Sequence, residues 1–154
     1  MTRESQKALA SRAGVTESVL KLLESPDRKQ PDKENLKKIK LALEGFGVTF
    51  LAATDHAGEG VRFSTPDKDR STEIFLRHGR ALLDLSIDEM ASLSGVGRIS
   101  IGRIERGKLT NPPEPAILKI REVLFEKGIS ILPDEATVGG GVRFREPPFG
   151  RKTT

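Results

Sequence analysis

The chain has no cysteine, tryptophan or tyrosine, and only two histidines among 154 residues. Lack of cysteine excludes disulfides, thiolate nucleophiles and cysteine-based zinc sites, and it suits a reducing cytosol. His56 and His78 stand far apart in unlike surroundings. They read as a loop residue and a helix residue, and no metal site is expected. Aromatics amount to 5%, all phenylalanine, so the cores must be built from aliphatic side chains. No apolar run reaches signal-peptide or membrane length, and a cytoplasmic protein with no membrane partner is expected. Enzymatic groupings are also lacking. Asp88 and Glu89 face different sides of one helix, and Asp134-Glu135 sits in a loop without a histidine or metal partner. A non-enzyme without cofactors follows. The run Gly139-Gly140-Gly141 lacks the lysine and following helix of a phosphate-binding loop and reads as a turn.

Charge of one sign is not in large excess. The net charge is +4, and residues 1–63 and 64–154 contribute +2 each. That balance permits nucleic-acid binding without demonstrating it, so the local placement of arginines has to decide.

That placement is most informative from Ser86 to Lys108, S-I-D-E-M-A-S-L-S-G-V-G-R-I-S-I-G-R-I-E-R-G-K. Ser86 and Glu89 are spaced as a capping box, and Met90, Ala91 and Leu93 give a first helix its apolar side. Gly95 suits a left-handed turn residue, and Val96 plugs the corner. In a second helix Ile101 and Ile104 face inward, which leaves Arg98, Ile99, Gly102, Arg103 and Arg106 outward or at the helix end. A short helix bearing arginines near its start and end suits entry into a DNA major groove.

The segment V-G-R-I-S-I-G-R-I-E-R-G resembles the second half of the helix-turn-helix of Cro/C1-type (Xre-like) transcriptional regulators. The likeness extends back through Phe75 to Leu83 as that family's first helix, and forward to a helix around Ile117 to Phe125. It implies double-stranded DNA as partner and a repressor as function. Arg98 is then the candidate for guanine readout, Ile99 for a thymine methyl, and Gly102 for close approach, with Ser100 on the same helix. Arg103, Arg106, Lys108 and Arg80 are the candidates for phosphates. Ile87 stands where the family often has glutamine, and this is a departure from its pattern.

The sequence also matches itself at an offset of 81 residues, without a gap from Ser5/Ser86 to Pro66/Pro147, with 18 identities in 62 positions. They include Gly14-Val15 against Gly95-Val96 and Val61-Arg62-Phe63 against Val142-Arg143-Phe144. A period this long fits a duplicated small domain. The first copy offers helices at Ser5 to Ala13, Ser18 to Glu24 and Lys33 to Phe46, with a polar loop from Pro26 to Pro31. Lys37, Lys38 and Lys40 make a solvated face. Val48 and Phe50, then Val61 and Phe63, alternate as strands, with counterparts Ile129, Ile131, Val142 and Phe144. Thr72 is a helix cap and Pro115 a helix-starting residue.

The expected fold is mainly α, with two tandem small helix-turn-helix domains, each followed by a short β-hairpin. Residues 1–64 form the first domain, 65–71 the linker, 72–147 the second domain and 148–154 a tail. The hairpins either cap each bundle separately or share one sheet, since isolated hairpins are marginal.

The first copy departs from the second in two ways. It has almost no counterpart of the helix before the motif, which should leave Leu9, Leu20 and Leu23 incompletely covered. Glu17, Leu22 and Ser25 stand where the second has Arg98, Arg103 and Arg106, and Val19 replaces Ser100. DNA reading therefore falls to the second copy. Val19, Leu22, Phe50, Phe63, Ile131 and Phe144 are the candidate protein interface, serving a homo-oligomer, an intrachain pseudo-dimer or a second protein at the first copy. The competing function is an antiactivator or antitoxin-like module whose motif helices bind another protein.

Overall fold

The computed structural model describes residues 4–25 and 32–148. The expected loop from Pro26 to Pro31 and the last six residues of the tail lie outside them. The chain divides into two compact units, Met1–Thr49 and Phe50–Thr154.

The first unit holds α1 (Gln6–Ala13), α2 (Glu17–Glu24) and α3 (Lys33–Gly45). Each begins at a side-chain cap: Ser5 accepts from the Ala8 N–H, Thr16 from Val19 and Asp32 from Glu34. Such caps satisfy amide donors that the helix itself leaves open. Its core is small, made of Ala10, Ala13, Leu20, Ile39 and Ala42, with Leu9, Val15, Leu23 and Leu43 packed around it. Leu20 is fully buried, contrary to the expected bare core, while Leu9 and Leu23 are half-buried. The three helices thus close over Leu20. Lys37, Lys38 and Lys40 are exposed as expected, and Lys38 pairs with Glu34.

β1 (Val48–Leu51) carries the chain across the boundary. The second unit continues with β2 (Gly60–Phe63), α4 (Ile74–Leu82), α5 (Ile87–Ser94), α6 (Arg98–Glu105), α7 (Glu114–Glu126), β3 (Ile129–Leu132) and β4 (Gly141–Phe144). Its core is larger and joins Phe75, Leu76, Met90, Val96, Ile101, Ile104, Ile117, Ile120, Val123, Leu124, Ile129 and Val142. Burying an aliphatic side chain is worth about 1.5–3 kcal/mol, so this unit has the greater hydrophobic reserve. Thr72 does not cap α4 with its side chain; the helix starts without a side-chain cap, and the Phe75 N–H bonds the Thr72 carbonyl.

The bounds of α1, α2, α3, β1 and β2, each advanced by 81 residues, are those of α5, α6, α7, β3 and β4. α4 is the element without a counterpart among the described residues.

The strands form one four-stranded sheet in the order β1-β2-β4-β3, so the two hairpins do not stand alone. β2 and β4 run antiparallel with Val61 opposite Val142, Gly60 opposite Arg143 and Arg62 opposite Gly141. Residues 50–64, expected with the first domain, consequently group with the second unit. The expected linker is held there too. Asp134 accepts from the Asp67 N–H at 3.1 Å and from the Gly140 N–H, and meets Arg70 Nη1 at 3.4 Å. These backbone donors, with Arg70 and Arg62 adding, hold the Asp134 carboxyl below its usual range. Gly139-Gly140-Gly141 is not a turn but leads into β4. A Cβ at any of the three meets backbone or ring atoms at 2.2–2.7 Å, so only glycine fits this approach.

Candidate nucleic-acid interface

α5 and α6 meet through a stapled corner. Ser86 accepts from the Glu89 N–H at 3.1 Å, and Glu89 Oε2 accepts from the Ser86 N–H at 2.7 Å, completing the capping box. That N–H holds the Glu89 carboxyl below its usual range. Gly95 ends α5 with φ +70°, a conformation that costs a side-chain-bearing residue energy. Ser94 Oγ donates to the Met90 carbonyl at 2.7 Å and accepts from the Val96 N–H at 3.2 Å. Val96 is buried in the corner, and Ile101 and Ile104 anchor α6 with about 1% exposure or less.

With those residues turned inward, α6 presents Arg98, Ile99, Ser100 and Arg103 outward, followed by exposed Arg106 and Lys108. Ile99 is 68% exposed, a large apolar side chain that the fold does not use. A Cβ at Gly102 would meet nothing nearer than Arg106 Nη2 at 3.7 Å, so internal packing does not require this glycine. Arg106 folds back along the helix, its Nε donating to the Gly102 carbonyl at 2.9 Å. Arg98 Nη1 lies 3.3 Å from Asp88 Oδ1, both side chains being 68% exposed. Solvent-exposed pairs contribute about 0–1 kcal/mol, so an incoming phosphate or base edge can displace it.

Two expected contact residues are committed elsewhere. Arg80, expected at phosphates, is engaged within the protein: its Nε and Nη2 donate to Glu105 Oε1 and Oε2 at 2.8 and 2.9 Å, and its Nη1 to the Leu85 carbonyl at 2.7 Å. Glu105 is buried, 4% exposed, and Arg80 is half-buried beside it. The Glu105 hydrogen bonds raise the pKa of Arg80, against its desolvation. The pair ties α4 to the end of α6 and so fixes the exposed helix in place. Ile87 is half-buried and packs against the core, while its neighbours Asp88 and Glu89 are exposed.

The expected protein-interface residues also separate. Phe63, Ile131 and Phe144 pack against the second unit's core from one face of the sheet. Phe63 is ringed by Phe75, His78 and Arg70, whose guanidinium carbon lies 3.6 Å from its ring centroid. They are half-buried, on the sheet face that is laid against the helices. Leu22 is 65% exposed, Val19 half-buried and Phe50 37% exposed.

Sequence reasoning missed the Arg80–Glu105 pair, the Arg98–Asp88 pair and the environment of His78. The imidazole sits between Phe63 and Phe75, and its Nδ1 is buried without a hydrogen bond. Burial, with Arg77 and Arg70 adding, lowers its pKa to about 3. The signal for the first pair was Glu105 in R-I-E-R-G, an acid between two arginines at an inward position of α6.

Residues 76–131, from α4 to β3, match the model of the helix-turn-helix family, a family of DNA-binding domains. No curated protein and no solved structure matches the chain. No helix among the described residues is long and apolar enough to cross a membrane.

Proposed function

We propose that this protein is a sequence-specific transcriptional regulator of double-stranded DNA that acts as a repressor and reads the major groove with residues 98–106. The observation that carries the reading is the outer side of α6. Three arginines, an isoleucine and a glycine that the fold does not need are offered on a helix held at both ends, within the segment matching a DNA-binding family. Arg98 and Ile99 meet base edges, Gly102 allows close approach, and Arg103, Arg106 and Lys108 neutralise phosphates. Selection of bound duplexes from a random pool by the purified chain should recover one motif, with affinity falling steeply as salt rises. Recovery of no motif sinks the proposal.

The chain is a tandem duplication whose first copy has lost DNA reading. The coincident element bounds and the shared G-V-R-F strands support this. α2 supports a different task, protein contact at the first copy, since it offers exposed Leu22 beside Val19 and has Glu17 where α6 begins with Arg98.

A further inference from the structure

The β2–β4 seam joins two copies of one tetrapeptide, G-V-R-F, running antiparallel about the Val61–Val142 pair. Each arginine lies across the other strand's glycine. A Cβ at Gly60 would stand 2.3 Å from Arg143 Cβ, and one at Gly141 would stand 2.5 Å from Arg62 Cα. The hydrogen bonds recur in the same way. Arg62 Nε donates to the Gly139 carbonyl at 2.6 Å, and Arg143 Nε to that of Gly58 at 3.0 Å. Arg62 Nη2 reaches the Pro133 carbonyl and Arg143 Nη2 that of Ala52, both at 3.3 Å. The N–H groups of Gly139 and Gly58 bond the carbonyls of Phe63 and Phe144, both at 2.9 Å. Every acceptor on one side is 81 residues from its counterpart on the other.

What β4 offers to β2 is therefore what it would offer to a second β4. One difference favours that second copy. Arg62 pairs with Glu135 Oε1 at 3.1 Å, whereas the residue equivalent to Glu135 on the other side is uncharged Thr54. In a β4–β4 seam each Arg143 would face a Glu135.

We propose that β4 is a self-complementary dimerisation strand and that β2 occupies its seat from within the chain, so that the protein is a monomer carrying its own dimer seam. The intrachain strand prevails because tethering supplies it at an effective concentration of order mM. The tether is itself held down by Asp134 on Asp67 and Arg70. The inference does not rest on DNA reading, and its test contains no DNA.

The test is sedimentation equilibrium of the full chain across a wide concentration range. The unmodified protein should keep the mass of one chain throughout. Gly60→Val closes the seat against β2 but leaves β4 intact, and the mass should rise twofold with concentration. Gly60→Val combined with Gly141→Val obstructs β4 as well and should return the protein to one chain. A dimeric unmodified protein, or a folded Gly60→Val variant that stays monomeric, overturns the proposal. If Gly60→Val does not fold, Arg62→Ala decides. It weakens only the β2 side and should bring on the twofold rise, which adding Arg143→Ala should abolish. A monomeric Arg62→Ala protein at the highest concentration overturns the proposal equally.

Discussion

α1–α2 and α5–α6 are the same local structure carrying opposite surfaces. Their bounds correspond, both turns pass through a left-handed glycine, and both bury an aliphatic residue at the same step, Leu20 and Ile101. They differ in what holds the second helix. Glu105 at the end of α6 is gripped by Arg80 from α4, whereas its counterpart Glu24 is exposed and accepts from Gln6 Nε2 at 2.5 Å. They differ again outside, where α6 has arginines and α2 has Glu17 and Leu22. The same backbone motif thus forms with or without the brace and the outward arginines, because capping and a few buried aliphatics suffice to form it.

The largest test of this contrast removes the brace. Glu105→Ala strips half-buried Arg80 of its carboxylate partner and should destabilise the second unit by about 2–3 kcal/mol in urea unfolding. Glu24→Ala, on an exposed hydrogen bond, should stay within about 0.5 kcal/mol. Equal losses at the two positions break the comparison.

α4 brings a second asymmetry through His78. Its folded pKa of about 3 lies below the ordinary value of 6.5. The unfolded chain therefore takes up the proton first. The stability held by the neutral imidazole is complete above pH 6.5 and is lost progressively as pH falls towards 3, at about 1.4 kcal/mol per pH unit. Urea titrations from pH 7 to 5 should show a loss of about 2 kcal/mol, and His78→Leu should remove that slope. An unchanged slope in the variant would mean that other groups carry it.

The outer surfaces come next. Arg98→Ala should cost about 1–3 kcal/mol on the best site and relax the selected motif at one or two base pairs. Arg106→Ala should weaken all duplexes alike and lower the slope of log affinity against log salt by about 0.9. Glu17→Ala should leave both readouts where they are. A motif that survives Arg98→Ala removes that residue from base readout.

The smallest effect is expected at Leu22, where Leu22→Arg should change stability by less than about 0.5 kcal/mol because the side chain is largely in solvent. DNA affinity should stay the same, while binding of a protein partner at α2 should be lost. Protection of Thr16 to Glu24 by bound DNA in a footprint would instead make α2 a second reading head.

What the sequence by itself determined here is local. Caps at Ser5, Thr16 and Ser86, left-handed glycines and the inward spacing of Ile101 and Ile104 set the helices to within a residue or two, because those interactions span at most one or two turns. The self-match at an offset of 81 residues was legible for the same reason, as a recurrence of those local signals. The tertiary structure alone decided which side chains remained available. Arg80 and Arg103 look alike in sequence, but one lies opposite a buried carboxylate brought from 25 residues away and the other faces outward. Strand pairing was equally beyond local reading. Periodicity predicted strands at Val61–Phe63 and Val142–Phe144, but pairing joins residues 81 apart, and two identical G-V-R-F segments carry no local mark of which strand each will choose. The choice rests on chain connection and on long-range contacts at Glu135, Gly58 and Gly139, which exist only once the chain has closed on itself.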